Sequence, residues 1–446
     1  MNAYLDHALK YQRRYLPLLI IIVLLVPILS AIFQGVPLSK GGESYYHLSQ
    51  ARTWHWSTFY YLPLWLLQHL LPERALLFIP PLLAFTSLFL FLRLASKLDL
   101  PLKPTFFFLV FFILSPTFIW MYTTFSAFSY FMLLLLSGFL LFIQPPKIFH
   151  YLSLLPFFLA TFFDMFSTII LLLVLLGYMV LSHQKKHSSF PYVLLPVSLA
   201  VNSFIFHQPF ILGPFQVQER LPNLVADFGG MAGLSFFILL LAIIGLLVRW
   251  RKFLAVAALL LFFIPAYLYS TQVIGFLSLP ITFFAVAGFM VLLERTWSLE
   301  NLKGFTLLLL ALGLLFSTVS YLDRISLSNP TAGDLQALGW IKNNIPEGAV
   351  VFSDVDNGYF IQYFAQRQPF YVPHQTGSSD DQEAIVNSIY IDQLFPLLER
   401  NNIKYFYFNP RMRERLPSDY GLLFLLKNER FKLLYSQEGY EVWEFK

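Results

Sequence analysis

The chain has 446 residues, 57% of them hydrophobic and 12% charged, far too apolar for a soluble globule of this size. Cysteine is absent, which excludes disulfides, zinc fingers and a cysteine nucleophile and leaves metal binding to Asp, Glu and His. The formal charge of +5 argues for basic cytoplasmic loops and against a nucleic-acid partner, because Lys and Arg collect on the cytoplasmic side of membrane proteins.

In chain order, the first apolar segment is Leu16 to Phe33, preceded by Lys10, Arg13 and Arg14. No small-x-small cleavage site follows, so it reads as a retained signal anchor. At about 20 apolar residues per crossing, the candidate spans are 15–33, 74–92, 105–121, 126–143, 151–163, 165–181, 190–206, 232–248, 253–269, 272–293 and 304–321. The expected fold class is a polytopic α-helical membrane protein with about eleven transmembrane helices; the parity changes if the two short segments around Asp164 form one broken span. Six basic clusters, at Lys10–Arg14, Arg93–Lys103, Lys147, Lys185–Lys186, Arg249–Lys252 and Arg295–Lys303, fall on one side of that count. The expected placement is a multi-pass cell-membrane protein, with the N-terminus cytoplasmic and the C-terminal tail extracytoplasmic.

Near Tyr321 the pattern changes from apolar segments to a charged, mixed tail. The expected domains are residues 1–325, a membrane domain with external loops 34–73 and 207–231, and residues 326–446, a soluble α/β domain. The first loop carries Gly41, Gly42, Glu43, Ser44, Tyr45, Tyr46, His47 and Arg52. A carboxylate there can hold a divalent cation, and His47 can join it or orient a ligand. An interfacial aromatic belt with a helix cap at Ser44 explains the same residues. Asp164 lies between two apolar segments, as a functional charge or a helix cap. The second loop carries Glu219 and Arg220 before Gly229 and Gly230; Glu219 is a ligand or a solvated surface group.

In the tail, helices are expected over Ala332–Asn344, Tyr359–Ala365, Ile389–Arg400 and Leu422–Asn428, with strands at Ala349–Ser353 and Tyr405–Phe408. Lys432–Tyr435 and Glu441–Phe445 form a closing hairpin through Glu438 and Gly439. Asp354 to Gly358 reads as a polar turn. Asp354 and Asp356 would face one side of a continued strand and hold a cation, or serve Asx hydrogen bonds. Gly377 to Asp381 reads as a solvated loop.

The run Gly42-Glu43-Ser44-Tyr45-Tyr46-His47-Leu48, with Ala51-Arg52 behind it, resembles the first external loop of GT-C superfamily membrane glycosyltransferases. It is most similar to the catalytic subunit of archaeal and bacterial single-chain oligosaccharyltransferase. Phe215 to Pro222 and Phe228-Gly229-Gly230 resemble that family's large external loop. Leu338 to Lys342, Ile345 to Val351 and Asp356 to Tyr359 resemble the start of its C-terminal domain.

The resemblance implies a GT-C type fold and transfer of a sugar or oligosaccharide from a polyprenyl-phosphate-linked donor to an external protein, lipid or glycan acceptor. Glu43 matches the family's metal-binding Asp, and Glu219 a loop Glu that holds the metal or the acceptor. These two would be the catalytic carboxylates, with Mg²⁺ or Mn²⁺ as cofactor and His47 and Asp164 as further ligands. Tyr45, Tyr46, His47, Arg52 and Arg220 would bind donor or acceptor. Asp356 and Gly358 match the Trp-Trp-Asp-Tyr-Gly motif that recognises the acceptor hydroxyl, whereas Asp354, Val355 and Asn357 depart from it. No carboxylate occurs in Trp120–Tyr130, where the family carries further acids. The alternative is a catalytically inactive GT-C-like scaffold or glycan-binding component. Transport lacks the internal repeat and paired intramembrane charges that it needs. The membrane lipid is an expected partner; the sequence does not specify partner subunits.

Overall fold

The computed structural model describes residues 11–36, 41–52, 61–71, 76, 78–144, 147–161, 168–173, 175, 217–230, 232–269, 273–372, 379–416 and 421–446. It divides into two compact units, Met1–Ser30 with Trp54–Leu327, and Ala31–Thr53 with Ser328–Lys446.

The first unit is built of apolar helices, and α1 (Gln12–Gln34) shows why. Leu16, Ile20, Val23 and Leu24 are buried at helical spacing, while Leu18, Ile21, Ile22, Leu25 and Leu29 stay exposed. A helix that is apolar on its exposed face as well suits lipid rather than water. After α2 (Gly41–Arg52), which belongs to the second unit, come α3 (Leu62–Leu70), α4 (Ile79–Lys97), α5 (Leu102–Ile113), α6 (Pro116–Thr123), α7 (Ala127–Phe142) and α8 (Lys147–Ala160). Then follow α9 (Val217–Asn223), α10 (Phe236–Arg249), α11 (Leu254–Tyr267), α12 (Ile274–Glu294) and α13 (Glu300–Leu327).

The expectation of about eleven spans is overturned. Among the described residues four helices are long and apolar enough to cross a membrane: Arg14–Gln34, Ile79–Lys97, Ile274–Glu294 and the run that starts at Glu300. A fifth arises if α5 and α6, bent by 63°, act as one broken span. Four other apolar helices have only 10–17 residues. Fourteen helical residues reach about 21 Å, short of the roughly 30 Å of hydrocarbon. Local stops cut two of the apolar runs. Ser115 accepts from Phe118 N at 3.1 Å with Pro116 at the first helical turn, and Ser126 accepts from Phe128 N at 3.2 Å. Averaged hydropathy does not register such caps. The expected span 190–206, most of 165–181, Asp164 and, of the loop 207–231, residues 207–216 and 231 lie outside the described residues.

The second unit has a five-stranded mixed sheet. Its elements after α2 are α14 (Ala332–Asn344), β1 (Val350–Phe352), α15 (Val355–Phe360), a π-helix (Ile361–Ala365), β2 (Gln368–Pro369), α16 (Ser379–Val386) and α17 (Ile391–Arg400). β3 (Ile403–Phe408), α18 (Pro410–Arg415), α19 (Leu422–Leu425), β4 (Phe431–Gln437) and β5 (Tyr440–Phe445) complete the order. The strand order is β2-β1-β3-β5-β4, parallel at β2/β1 and β1/β3 and antiparallel at β3/β5 and β5/β4. Phe352, Phe406, Phe408, Leu394, Leu398 and Ile385 centre its core.

Local chemistry sets these boundaries. Thr331 caps α14 in a capping box with Asp334, and Ile345 ends it ahead of Pro346. Glu438 and Gly439 take φ 48° and 85°, as a two-residue hairpin turn of the I′ kind requires. The polar turn expected at 354–358 is instead the start of α15, capped by Asp354, so Asp354 and Asp356 are not on a continued strand. The loop expected over 377–381 gives way to α16 from Ser379; residues 377–378 lie outside the described residues.

Candidate functional site

In the second unit, α2 presents a carboxylate and an imidazole one turn apart. Glu43 Oε1 lies 3.7 Å from His47 Nε2. His47 is buried, and the Glu43 side chain is 33% exposed. Such spacing puts both groups on one helix face.

The opposite contacts of α2 are aromatic. Tyr45 is fully buried, with ring centroids 5.4, 5.3 and 5.0 Å from Phe360, Tyr363 and Phe364. Burial, helped by Tyr363, holds its hydroxyl well above the ordinary tyrosine range, so Tyr45 stays neutral. Arg52 Nη2 donates to the Tyr363 hydroxyl at 2.9 Å, and its Cζ lies 4.0 Å over that ring. Tyr46 stands 5.2 Å from His47 and 5.8 Å from Tyr359. Tyr359 also lies against Gly42, where a Cβ would come within 2.5 Å of its ring. Burial and then the Glu43 carboxylate, with Tyr46 and Asp356, push the Tyr359 hydroxyl up. Glu43, Tyr46 and Asp356 thus share one electrostatic neighbourhood around Tyr359.

The 354–358 segment occupies the sheet's topological switch. From β1 the chain turns to β2 on one side, while β3 lies on the other, so the segment leaves β1 at the point where the strand order reverses. Asp354 Oδ1 accepts from Val355 N at 2.8 Å, and Oδ2 accepts from Arg415 Nη1 at 2.7 Å. Asp356 Oδ2 is 3.9 Å from the same nitrogen, on a side chain 76% exposed. Desolvation by the surrounding chain and the Asp354 charge raise the Asp356 carboxyl, against Arg415 and Arg411; water at so exposed a group screens these effects. Asn357 is buried, donates to Ser353 Oγ at 3.0 Å and accepts from Asn409 Nδ2 at 3.0 Å. Asn409 also donates to the buried Asp334 at 3.0 Å. A Cβ at Gly358 would sit 2.7 Å from the Tyr371 carbonyl. Gly358 is thus a close-approach glycine, and Asn357 a structural link.

Glu219 and Arg220 belong to the first unit, on the short helix α9. Arg220 is buried; its Nη1 donates to the Tyr267 carbonyl at 3.3 Å, and the Tyr267 hydroxyl donates to the Arg220 carbonyl at 3.1 Å. The Glu219 side chain and Asp164 are outside what the structure describes. Among the described residues no group of three or more His, Cys, Asp or Glu is placed to hold a metal ion.

The structure therefore gathers Glu43, Tyr45, Tyr46, His47, Arg52, Asp356 and Gly358 in one unit, and Glu219 with Arg220 in the other. Sequence reasoning missed Tyr359, Tyr363 and Arg415. The cluster Tyr359, Phe360, Tyr363 and Phe364, at i, i+1, i+4 and i+5, was the available signal for an aromatic face on a helix.

No protein-family model matches the chain, and no curated protein matches it. Solved structures do. An oligosaccharyltransferase of Archaeoglobus fulgidus, tethered to an acceptor peptide containing the NVT sequon, matches with TM-score 0.54 and 14% identity, over 98% of this chain and 75% of that one. An apo form from the same organism gives 0.55 and 13%, over 90% and 70%. A complex from that organism with an inhibitory peptide and a dolichol-phosphate gives 0.51 and 12%, over 98% and 75%. At such identity the likeness speaks for architecture alone: the chain shares the polytopic, mostly helical fold of these solved structures, with a small C-terminal domain.

Proposed function

We propose that the chain is a membrane glycosyltransferase that moves a sugar or oligosaccharide from a polyprenyl-phosphate-linked donor to an external acceptor. The observation that carries this reading is the fold match along 98% of the chain to an oligosaccharyltransferase solved with an acceptor peptide. A related complex holds dolichol-phosphate, the carrier part of the donor class proposed here.

The proposed orientation needs no span count. Arg13 and Arg14 at the start of α1 favour a cytoplasmic N-terminus, so α1 delivers residues 41–52 to the outside. Those residues fold into one unit with 328–446, which supports an external side for the tail.

Glu43 and His47 offer a carboxylate oxygen and a ring nitrogen from one face. That pair suits Mn²⁺ at least as well as Mg²⁺, because Mg²⁺ prefers oxygen. The family resemblance gives Glu219 the role of a carboxylate that holds metal or acceptor, and Asp164 that of a candidate ligand. A divalent cation, when bound, stabilises negative charge on the leaving phosphate. Arg220 or Arg52 supplies fixed positive charge toward donor phosphate oxygens. Tyr46 offers a ring face to donor or acceptor, and Tyr45 holds α2 in place. Asp356, being exposed, is the motif residue available to an acceptor, while Gly358 shapes the backbone around it.

One observation favours the inactive scaffold or glycan-binding reading. Asp354, where the family carries an aromatic, is engaged as a helix cap and as the partner of Arg415.

The deciding experiment is transfer of labelled glycan from extracted polyprenyl-linked donor by the purified chain with Mn²⁺ or Mg²⁺, beside Glu43→Gln and Glu219→Gln. Metal-dependent transfer lost in both variants is expected. Intact donor and a folded chain without transfer to peptide, lipid or glycan acceptors would favour the scaffold.

A further inference from the structure

We propose that Asp227 and Arg324 are positioning residues that seat the Glu219–Arg220 helix on α13 and so fix the charge that meets the donor phosphate. The inference rests on the functional reading above. Both side chains lie in the first unit with that helix.

The chain leaving α9 makes a tight turn before α10. Ala226 N donates to the Leu234 carbonyl at 2.9 Å, and Leu234 N to the Leu224 carbonyl at 2.8 Å. From α13, Arg324 Nη1 donates to the Ala226 carbonyl and, at 3.1 Å, to the Gly230 carbonyl. Asp227 answers in the other direction. Its Oδ1 accepts from Ser317 Oγ of α13 at 2.5 Å, and its Oδ2 from Phe236 N, the first residue of α10, at 2.7 Å. Ser235, the natural cap of α10, makes no cap bond itself. Thr117 of α6 adds a bond to the Gly233 carbonyl at 2.8 Å.

One turn is therefore tied by side-chain bonds to α6, α10 and α13, and Arg220 ties the start of the same segment to α11. A carboxylate and a guanidinium among apolar helices need a compensating role. Capping α10 explains one oxygen of Asp227. It does not explain Ser317 or the two carbonyls that Arg324 holds.

The test uses the full chain in lipid nanodiscs, with Asp227→Asn, Arg324→Met, Arg324→Lys and, as a control near the start of α13, the half-buried Thr306→Ala. Hydrogen–deuterium exchange over 217–235, dolichyl phosphate affinity and the donor KM and kcat are read separately. Asp227→Asn and Arg324→Met should raise exchange there and weaken dolichyl phosphate binding about tenfold, the scale of one lost charge-assisted bond. Arg324→Lys should recover part of the affinity, and Thr306→Ala should match the unaltered chain. Unchanged exchange would overturn the seating, and raised exchange with unchanged affinity and donor KM would overturn the positioning role. An unaltered chain that neither binds donor nor transfers overturns the functional reading instead, and exchange still decides whether the two residues seat the helix.

Discussion

Arg220 and Tyr267 bond each other in opposite directions, the guanidinium to the Tyr267 carbonyl at 3.3 Å and the Tyr267 hydroxyl to the Arg220 carbonyl at 3.1 Å. The pair joins α9 to the end of α11. Tyr267→Phe keeps the ring but leaves a buried carbonyl without this donor. The expected loss is about 1–3 kcal/mol, seen as a lower thermal midpoint. An unchanged midpoint would mean that the reciprocal bond does not seat Arg220.

Glu43→Gln retains the shape of α2 but removes the charge beside His47. Transfer should fall by about a hundredfold or more if the carboxylate is a metal ligand. Isothermal titration with Mn²⁺ should show the affinity falling in parallel. Equal Mn²⁺ affinity in the two proteins would remove Glu43 from the ligand set.

Gly358→Ala places a methyl 2.7 Å from the Tyr371 carbonyl. Backbone has to shift, at about 1–3 kcal/mol. Chemical denaturation followed by tryptophan fluorescence reads this loss. A variant as stable as its parent would show that Gly358 is not needed for the close approach.

Hydrogen bonds from Asn401 and Arg400 hold the Asp381 carboxyl below its ordinary value. The Asn401 amide donates at 3.0 Å and Arg400 Nη2 at 2.5 Å. A lowered folded value means a stabilisation complete above the ordinary carboxylate range and lost as pH falls through the lowered one. Thermal midpoints of the chain and of Asp381→Asn should differ at neutral pH and converge on acidification. A gap that widens toward acid would reverse the assignment.

The sheet and its flanking helices were largely legible because their signals are local. Thr331, Asp334 and Pro346 mark both ends of α14, and the aromatic run of β3 reads as a strand from its residues alone. The membrane unit was less so, since hydropathy sees apolar runs and not the caps at Ser115 and Ser126 that cut them. Asp354 shows how one residue misleads: the side chain that favours an Asx turn also caps a helix, and only the following residues decide. The proximity of Glu43 and His47 follows from a spacing of four. The meeting of Arg52 with Tyr363, 311 residues away, has no local trace.

That separation bears on biogenesis. Residues 41–52 are synthesised early, yet the ring surfaces that cover Tyr45 arrive with residues 360–364. The second unit can therefore mature only after the intervening membrane segments have been made, and its early helix waits with an aromatic face uncovered. A ribosome that stops before residue 360 leaves a product unable to complete this contact. The union of the 41–52 helix with residues 360–364 thus ties assembly of the second unit to synthesis of everything between them.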